Sequence, residues 1–487
     1  MPDSVRWYLT LLVVTWAFAP LARWLGDRLP DRGATIARPL GLLAVVWPTW
    51  FLASVTPIPY STAGLWITVA LGAVVGWTLA VRRGWLTRDW LIALAVAEAV
   101  ALVAFVAYVG LRGYTPRITG TEKPMDVAFL SASARATDLP PPDPWLAGKT
   151  INYYYLGYFV HGSLARMADV PTWVAYNLAL ATTVAMTITG AAGVAFTIGR
   201  AWLGRRGALG VAALGAFLVA VAGNLRAPIR FLQDPNATID AWWWDRIGWP
   251  SSRIVVDHGS SQEQTINEFP WFSFLLGDLH PHVTALPFTI LALALAVNLL
   301  VRPWRDDATD VSSWARLVIT GMAIGALYPL NSWDFPTYLV IALAALLFAS
   351  GWTRTTLERG GALVAAALAA WLPFTVSFVP FAGGDKSDLP SALRDTPIVS
   401  RLFTTVALYT GERTNISEFL TVFGVAWTAA IIYLIVEVIR VSRADGAPRV
   451  GGGPVAAAII VLLATIALSA PVLILAGAPF AATLWLL

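Results

Sequence analysis

The feature that most constrains this chain is a recurring uncharged apolar run of about 20 residues, the length a helix needs to cross a bilayer core. Such runs begin near Trp7 and return along all 487 residues. Open strands in lipid would leave backbone groups unpaired, so the runs are expected to be helices. The fold class expected is therefore an all-α polytopic membrane protein. Composition agrees, since 57% of residues are apolar and 13% charged, against about 25% charged in soluble domains. A soluble enzyme, a nucleic-acid-binding domain and a disordered tail are excluded as descriptions of the whole. Cysteine is absent, which removes disulfide staples and thiolate chemistry.

About twelve spans are expected, with boundaries loose by a few residues. They lie near 7–24, 38–56, 61–81, 89–111, 172–199, 207–223, 284–301, 314–331, 335–351, 361–382, 418–440 and 454–476. The first run ends in an arginine-bearing segment and not in a small-residue cleavage site, so it reads as a retained span. Arginine sets the direction. Arg23, Arg28, Arg32 and Arg38, then Arg82, Arg83 and Arg88, and later Arg200, Arg205 and Arg206, fall in alternate connections. Arg302, Arg305 and Arg316, Arg354 and Arg359, and Arg440, Arg443 and Arg449 continue the series. Connections 57–60 and 332–334 hold no Lys or Arg. By the positive-inside rule the arginine-rich connections are cytoplasmic, which also explains the net charge of +4 without a nucleic-acid partner.

Segment 151–168 (INYYYLGYFVHGSLARMA) tests this scheme. If it crossed, every later connection would invert. The charge pattern survives if the segment lies along the membrane surface, where tyrosine is at home. Long loops at about 112–171, 224–283 and 383–417 then face outside. They carry all four histidines, His161, His258, His280 and His282, and the lysines Lys123, Lys149 and Lys386. Long loops with polar punctuation are where function concentrates.

The first long loop holds Glu122-Lys123-Pro124-Met125-Asp126, with proline at the first turn of a short helix. Two carboxylates at a membrane margin suit a general base and divalent-cation ligands, or else a simple helix-start arrangement. Proline-stiffened residues 140–144 lead to Asn152-Tyr153-Tyr154-Tyr155 and Tyr158-Phe159, aromatics that suit a sugar, an isoprenoid chain or an interface. The second long loop holds Asp257-His258, Glu268-Phe269-Pro270 and Gly277-Asp278-Leu279-His280-Pro281-His282. Asp278, His280 and His282 resemble a metal-ligand set, with a divalent ion as the cofactor they suit. Asp334, in Asn331-Ser332-Trp333-Asp334-Phe335-Pro336, sits at a hairpin tip, facing the same cavity or capping the next helix. Glu98 lies inside the fourth span, a functional candidate by its cost there. Neither a nucleophile elbow nor a phosphate-binding P-loop is present.

Together, the five motifs from Glu122 to Pro336 resemble the Chlor_Arch_YYY family, a domain of unknown function in very hydrophobic bacterial and archaeal membrane proteins. The likeness spans about residues 90–340, and family members are often longer. That family is similar in layout to the C-type (GT-C) glycosyltransferases that use lipid-phosphate sugar donors. The resemblance implies a GT-C-like core over 89–382 with external loops 112–171 and 224–283 and surface-lying helices in the first. Residues 1–88 would be added N-terminal helices, and 383–487 an external loop with C-terminal helices.

The activity this implies is transfer of a sugar from a polyprenyl-phosphate donor to an acceptor hydroxyl at the extracytoplasmic face of the plasma membrane. Glu122 or Asp126 would be the catalytic base. Lys123, Lys149 and Arg117, with Tyr153, Tyr154, Tyr155, His258, Glu268 and Asp334, would bind the donor and its phosphate. The partners are the bilayer, the donor and a glycan, lipid or protein acceptor. Two other classes compete: a transporter or flippase, which would place polar groups at the bilayer midplane, and a non-catalytic envelope scaffold.

Overall fold

The computed structural model describes residues 1–234, 244–256, 265–301, 311–379, 391 and 414–442. Among these the chain is helical, with one isolated bridge between Pro142 and Thr150. Two units separate: Met1–Ala222 with Ser273–Phe378, and Gly223–Phe272 with Val379–Leu487.

In the first unit α1 (Asp3–Leu25), α2 (Ala37–Val55), α3 (Thr62–Arg82) and α4 (Arg88–Gly113) run as apolar hairpins. Next come two short helices, α5 (Lys123–Arg135) and α6 (Leu156–Ala168), and then the long hairpin α7 (Thr172–Trp202) and α8 (Arg205–Ala220). After the last turns of α10 (Pro270–Leu276) follow α11 (Pro281–Val301), α12 (Val311–Gly325), α13 (Leu327–Leu330), α14 (Asp334–Ser350), α15 (Arg354–Ala370) and α16 (Leu372–Ser377). Packing rather than charge holds the bundle, as lipid-embedded helices require. Trp7 Nε1 donates to Thr182 Oγ1 at 2.9 Å, and Trp50 and Trp371 meet at 5.0 Å between ring centroids.

Among the described residues, seven helical stretches are long and apolar enough to cross a membrane: Asp3–Leu25, Ala34–Val55, Thr62–Arg82, Arg88–Gly113, Thr172–Trp202, Pro281–Val301 and Val311–Leu330. This is fewer than the twelve runs suggest. α8 has 16 residues and α14 has 17, short of the roughly 20 a span needs. The run at 361–382 is broken at Trp371, because Pro373 supplies no amide to continue α15 and instead opens α16. The run at 418–440 falls in α17 (Ile416–Ser442), of which Ile416–Ala429 is a shorter apolar stretch. Residues 454–476 lie outside the described residues.

The bundle has two chemically different ends. At one, the arginine-rich connections meet: Trp24 Nε1 donates to Ser312 Oγ at 3.2 Å, Asn298 Nδ2 to the Leu25 carbonyl at 2.9 Å, and Arg316 Nη1 to Asp27 Oδ2 at 2.6 Å. At the other lie the connections from α2 to α3, α4 through α5 and α6 to α7, and α10 to α11.

α6 is enclosed by protein: all residues of Leu156–Ala168 but Arg166 are buried, while Asn152 ahead of it is exposed. Trp50 Nε1 donates to Tyr155 Oη at 3.0 Å, Arg166 Nε donates to Thr62 Oγ1 at 2.9 Å, and Gly157 closes against Thr284 of α11. Tyr154, Tyr155 and Tyr158 are core residues and Tyr153 is half-buried, which an average over the segment's composition does not distinguish from interfacial positions.

In the second unit, α9 (Arg226–Gln233) is tied to α17 by the Leu225 amide donating to the Thr421 carbonyl at 2.8 Å. Arg253 pairs with Glu268 at 3.2 Å and lies over the Trp249 ring.

Candidate functional site

The site grows from the turn that follows α4. Gly120 and Thr121 both adopt left-handed backbone, and the chain then reverses into α5 with Glu122 at its N-cap, Lys123 at its first position and Pro124 at its second. Glu122 makes no side-chain cap bond to the helix. Its carboxylate turns instead to His280, with Oε2 2.9 Å from Nδ1, and its side chain stays 60% exposed. Asp126, in the first turn of α5, where the helix dipole favours an anion, is fully buried.

Three elements converge on Asp126. Tyr158 of α6 donates its hydroxyl to Oδ1 at 2.5 Å. His280, just ahead of α11, holds Nδ1 3.6 Å from the same oxygen, while its Nε2 lies 3.0 Å from the Tyr153 hydroxyl. Asp278 joins them: one ligand-type atom from each of Asp126, Asp278 and His280 lies within 4.8 Å of the others. The second oxygen of Asp126, buried and without a hydrogen-bond partner among the described residues, is left over. Such groups are rare in folded proteins and call for an explanation.

The chain can present Asp278 and His280 here because Gly277 is a glycine. Its φ is +70°, and a Cβ there would stand 2.5 Å from Arg112 Nη1. Tyr176 pins the same loop, accepting from the Leu279 amide and donating to the Gly277 carbonyl, each at 3.2 Å. Arg112, buried in the last turn of α4, donates through Nε to Asn177 Oδ1 at 2.9 Å.

Electrostatics follow from this crowding. Burial pulls the His280 imidazole down, but hydrogen bonds to Asp126 and Glu122 outweigh it and raise the group to about 10. It is therefore an imidazolium at neutral pH when the cluster is as found here. Burial, then the neighbouring Arg112 charge, holds the Lys123 ammonium below its ordinary value, against the pull of Asp278 and Asp126. Burial raises the Tyr153 and Tyr158 hydroxyls, and the carboxylates add to it, so both remain protonated.

The structure therefore brings Glu122, Lys123, Asp126, Tyr153, Asp278 and His280 to one end of the bundle. Tyr154 and Tyr155 flank them, with Ser332 donating to Tyr154 Oη at 3.0 Å. His282 stands apart from the trio of ligand atoms, its Nε2 3.3 Å from Ser273 Oγ. Asp334 does not cap α14; Asn331 Nδ2 donates to it at 3.0 Å, and burial raises its carboxyl to about 6. Lys149 and Arg117 are exposed. Glu268 belongs to the other unit, paired with Arg253, and His258 lies outside the described residues. Glu98 is tied up inside the bundle, bonded to the Tyr8 hydroxyl and 2.6 Å from Arg38 Nη2.

Arg112 and Tyr176 were not singled out by sequence reasoning, and Tyr158 was read as an aromatic surface and not as the partner of Asp126. Only Arg112 carried a usable signal, a cation in the last turn of an apolar span, which is costly unless it has work to do. No curated protein matches the chain, and no solved structure does. The family described as uncharacterized membrane protein (DUF2298) matches residues 44–487, and the chain belongs to that family.

Proposed function

We propose that this chain is a membrane glycosyltransferase that moves a sugar from a polyprenyl-phosphate donor to an acceptor hydroxyl, as its likeness in layout to Chlor_Arch_YYY and GT-C proteins implies. The observation that carries the reading is Glu122: an exposed carboxylate held 2.9 Å from His280, directly over the buried Asp126 and beside Lys123. The base must meet a substrate, and Glu122 is the carboxylate of the cluster that solvent reaches. It takes the proton from the acceptor hydroxyl as that oxygen bonds to the anomeric carbon. The carbon–oxygen bond to the prenyl phosphate breaks, and the phosphate leaves as an anion, its charge met by Lys123 with the exposed Arg117 and Lys149 as further candidates. Asp126 and Tyr153 position His280.

The arginine-rich connections lie at the opposite end of the first unit, which by the positive-inside rule supports the reading of an extracytoplasmic site, in the plasma membrane as we propose. A lipid donor accounts for a site at the mouth of a helix bundle. The acceptor is a glycan, a lipid or a protein.

A second reading, a transporter, draws on a different observation. The Arg38–Glu98 pair lies inside the spans beside a small cavity of about 20 Å³ lined by Thr15, Thr35, Met186 and Thr189, and intramembrane charges often mark transport paths. One experiment separates the two. In proteoliposomes given polyprenyl-phosphate sugars, Glu122→Gln should lower transfer by about 100-fold or more and leave substrate accumulation unchanged. Full transfer by Glu122→Gln, or accumulation without chemical conversion, would overturn the transferase.

A further inference from the structure

We propose that Asp126, Asp278 and His280 form a binding site for one divalent metal ion of the Mn2+ class. The argument rests on this chain's side chains and not on the transfer reading, although it places the ion in the same site.

The donor atoms of the three residues lie within 4.8 Å of one another. An ion about 2.1–2.4 Å from each ligand needs opposed donors about 4.2–4.8 Å apart, so a single ion bridges the trio with small side-chain adjustments. The set is chemically coherent. Two carboxylates with one imidazole suit a borderline ion that accepts both oxygen and nitrogen, and the absence of thiolates in this chain removes the soft alternative.

The second observation is the leftover oxygen. Asp126 is fully buried, Tyr158 satisfies Oδ1, and Oδ2 has no hydrogen-bond partner among the described residues. A carboxylate oxygen in that state wants a ligand, and an ion between it and Asp278 supplies one. The imidazole already has the orientation of a ligand, because Nδ1 faces the carboxylates while Nε2 lies 3.0 Å from the Tyr153 hydroxyl, and the incoming cation displaces the Nδ1 proton to solvent. Ligating imidazoles are held in this way by a partner on the far nitrogen. Tyr158 plays the same part for Asp126. Three protein ligands leave coordination positions open, where a phosphate oxygen fits; that last statement alone rests on the proposed transfer.

The test uses the full chain, purified in lipid nanodiscs and stripped with chelator, and titrates Mn2+ while the free-ion electron paramagnetic resonance signal is followed. Wild type should take up one Mn2+, and Asp126→Asn and Asp278→Asn should each weaken that binding by about 10-fold or more. Glu122→Gln should keep it, because Glu122 is outside the trio. If a variant folds poorly, as shown by its melting profile, the other decides. Wild type that leaves the signal untouched, or uptake that survives both aspartate changes, overturns the metal site. Uptake as expected with no sugar transfer under any condition would retain the metal and remove the transferase, so the two proposals fail separately.

Discussion

Tyr158→Phe removes one oxygen from a packed core and leaves the ring. The ring stays in its edge-on contact with Phe129, centroids 5.7 Å apart, and both Tyr158 and Asp126 are buried. What is lost is a 2.5 Å hydrogen bond to a carboxylate whose other oxygen is already without a partner. Hydrogen bonds to charged groups are worth about 1.5–3 kcal/mol, against about 0.5–1.5 for neutral pairs. No water reaches Asp126 in place of the lost donor, so the upper range applies, about 2–3 kcal/mol. At about 2 °C per kcal/mol for a large domain, the melting midpoint in detergent should fall by roughly 4–6 °C. Unfolding of such chains is commonly irreversible, so variants are compared at one scan rate.

Tyr155→Phe is the control. Its hydroxyl accepts a neutral bond from Trp50 Nε1 at 3.0 Å in the same helical region, and the expected drop is only about 1–3 °C. The double-mutant cycle is decisive. In an Asp126→Asn background the carboxylate is gone, and Tyr158→Phe should cost no more than a neutral bond. A cost that is equal in both backgrounds, or no larger than that of Tyr155→Phe, would refute the account of Asp126 as a buried anion held by Tyr158.

Two further changes probe the loop and the hairpin tip. Gly277→Ala puts a Cβ 2.5 Å from Arg112 Nη1 at a φ of +70°, so Arg112 must shift from Asn177; a loss of about 1–2 kcal/mol is expected as a lowered melting midpoint, and an unchanged midpoint would mean that Arg112 is not held there. Asp334 is raised by burial to about 6 from 3.8. A carboxyl whose folded value is raised contributes stability at low pH that is lost as pH climbs through about 6, so Asp334→Asn should match wild type near pH 4 and exceed it at pH 8 by no more than about 3 kcal/mol. Melting curves that stay parallel across that range would contradict the burial of Asp334.

Much of the cluster was legible in the sequence because its members come in short, chemically dense motifs. Glu122 with Asp126, and Asp278 with His280, are polar groups at the ends of apolar runs, and idle charges in such places are costly. Which third ligand-type residue joins Asp278 and His280 was not legible. His282, two residues from His280, faces Ser273, whereas Asp126, more than 150 positions away, closes the trio. Spacing along a chain reports neighbours within one element; convergence of α5, α6 and the loop before α11 is a tertiary property. Seven of the expected spans are matched among the described residues by helices of full length, whereas α8 and α14 are shorter and the α15–α16 pair is interrupted at Pro373, which apolar content alone does not show.

α6 shows where the two kinds of reading part. Charge alternation requires that 151–168 not cross the membrane, since a crossing would put Arg200, Arg205 and Arg206 at the same end as His280. The structure satisfies that requirement with a helix of 13 residues, about 20 Å long at 1.5 Å per residue and too short to span. Parity depends on helix length and arginine, both written locally. Exposure depends on what packs against the helix, and here α5, α7, α11 and the ends of α1, α2 and α3 enclose it. A buried α6 serves the site in a way that a surface-lying helix does not: Tyr158 reaches Asp126 only because its helix lies beneath α5, where the hydroxyl is withheld from water and its bond to the carboxylate is correspondingly strong.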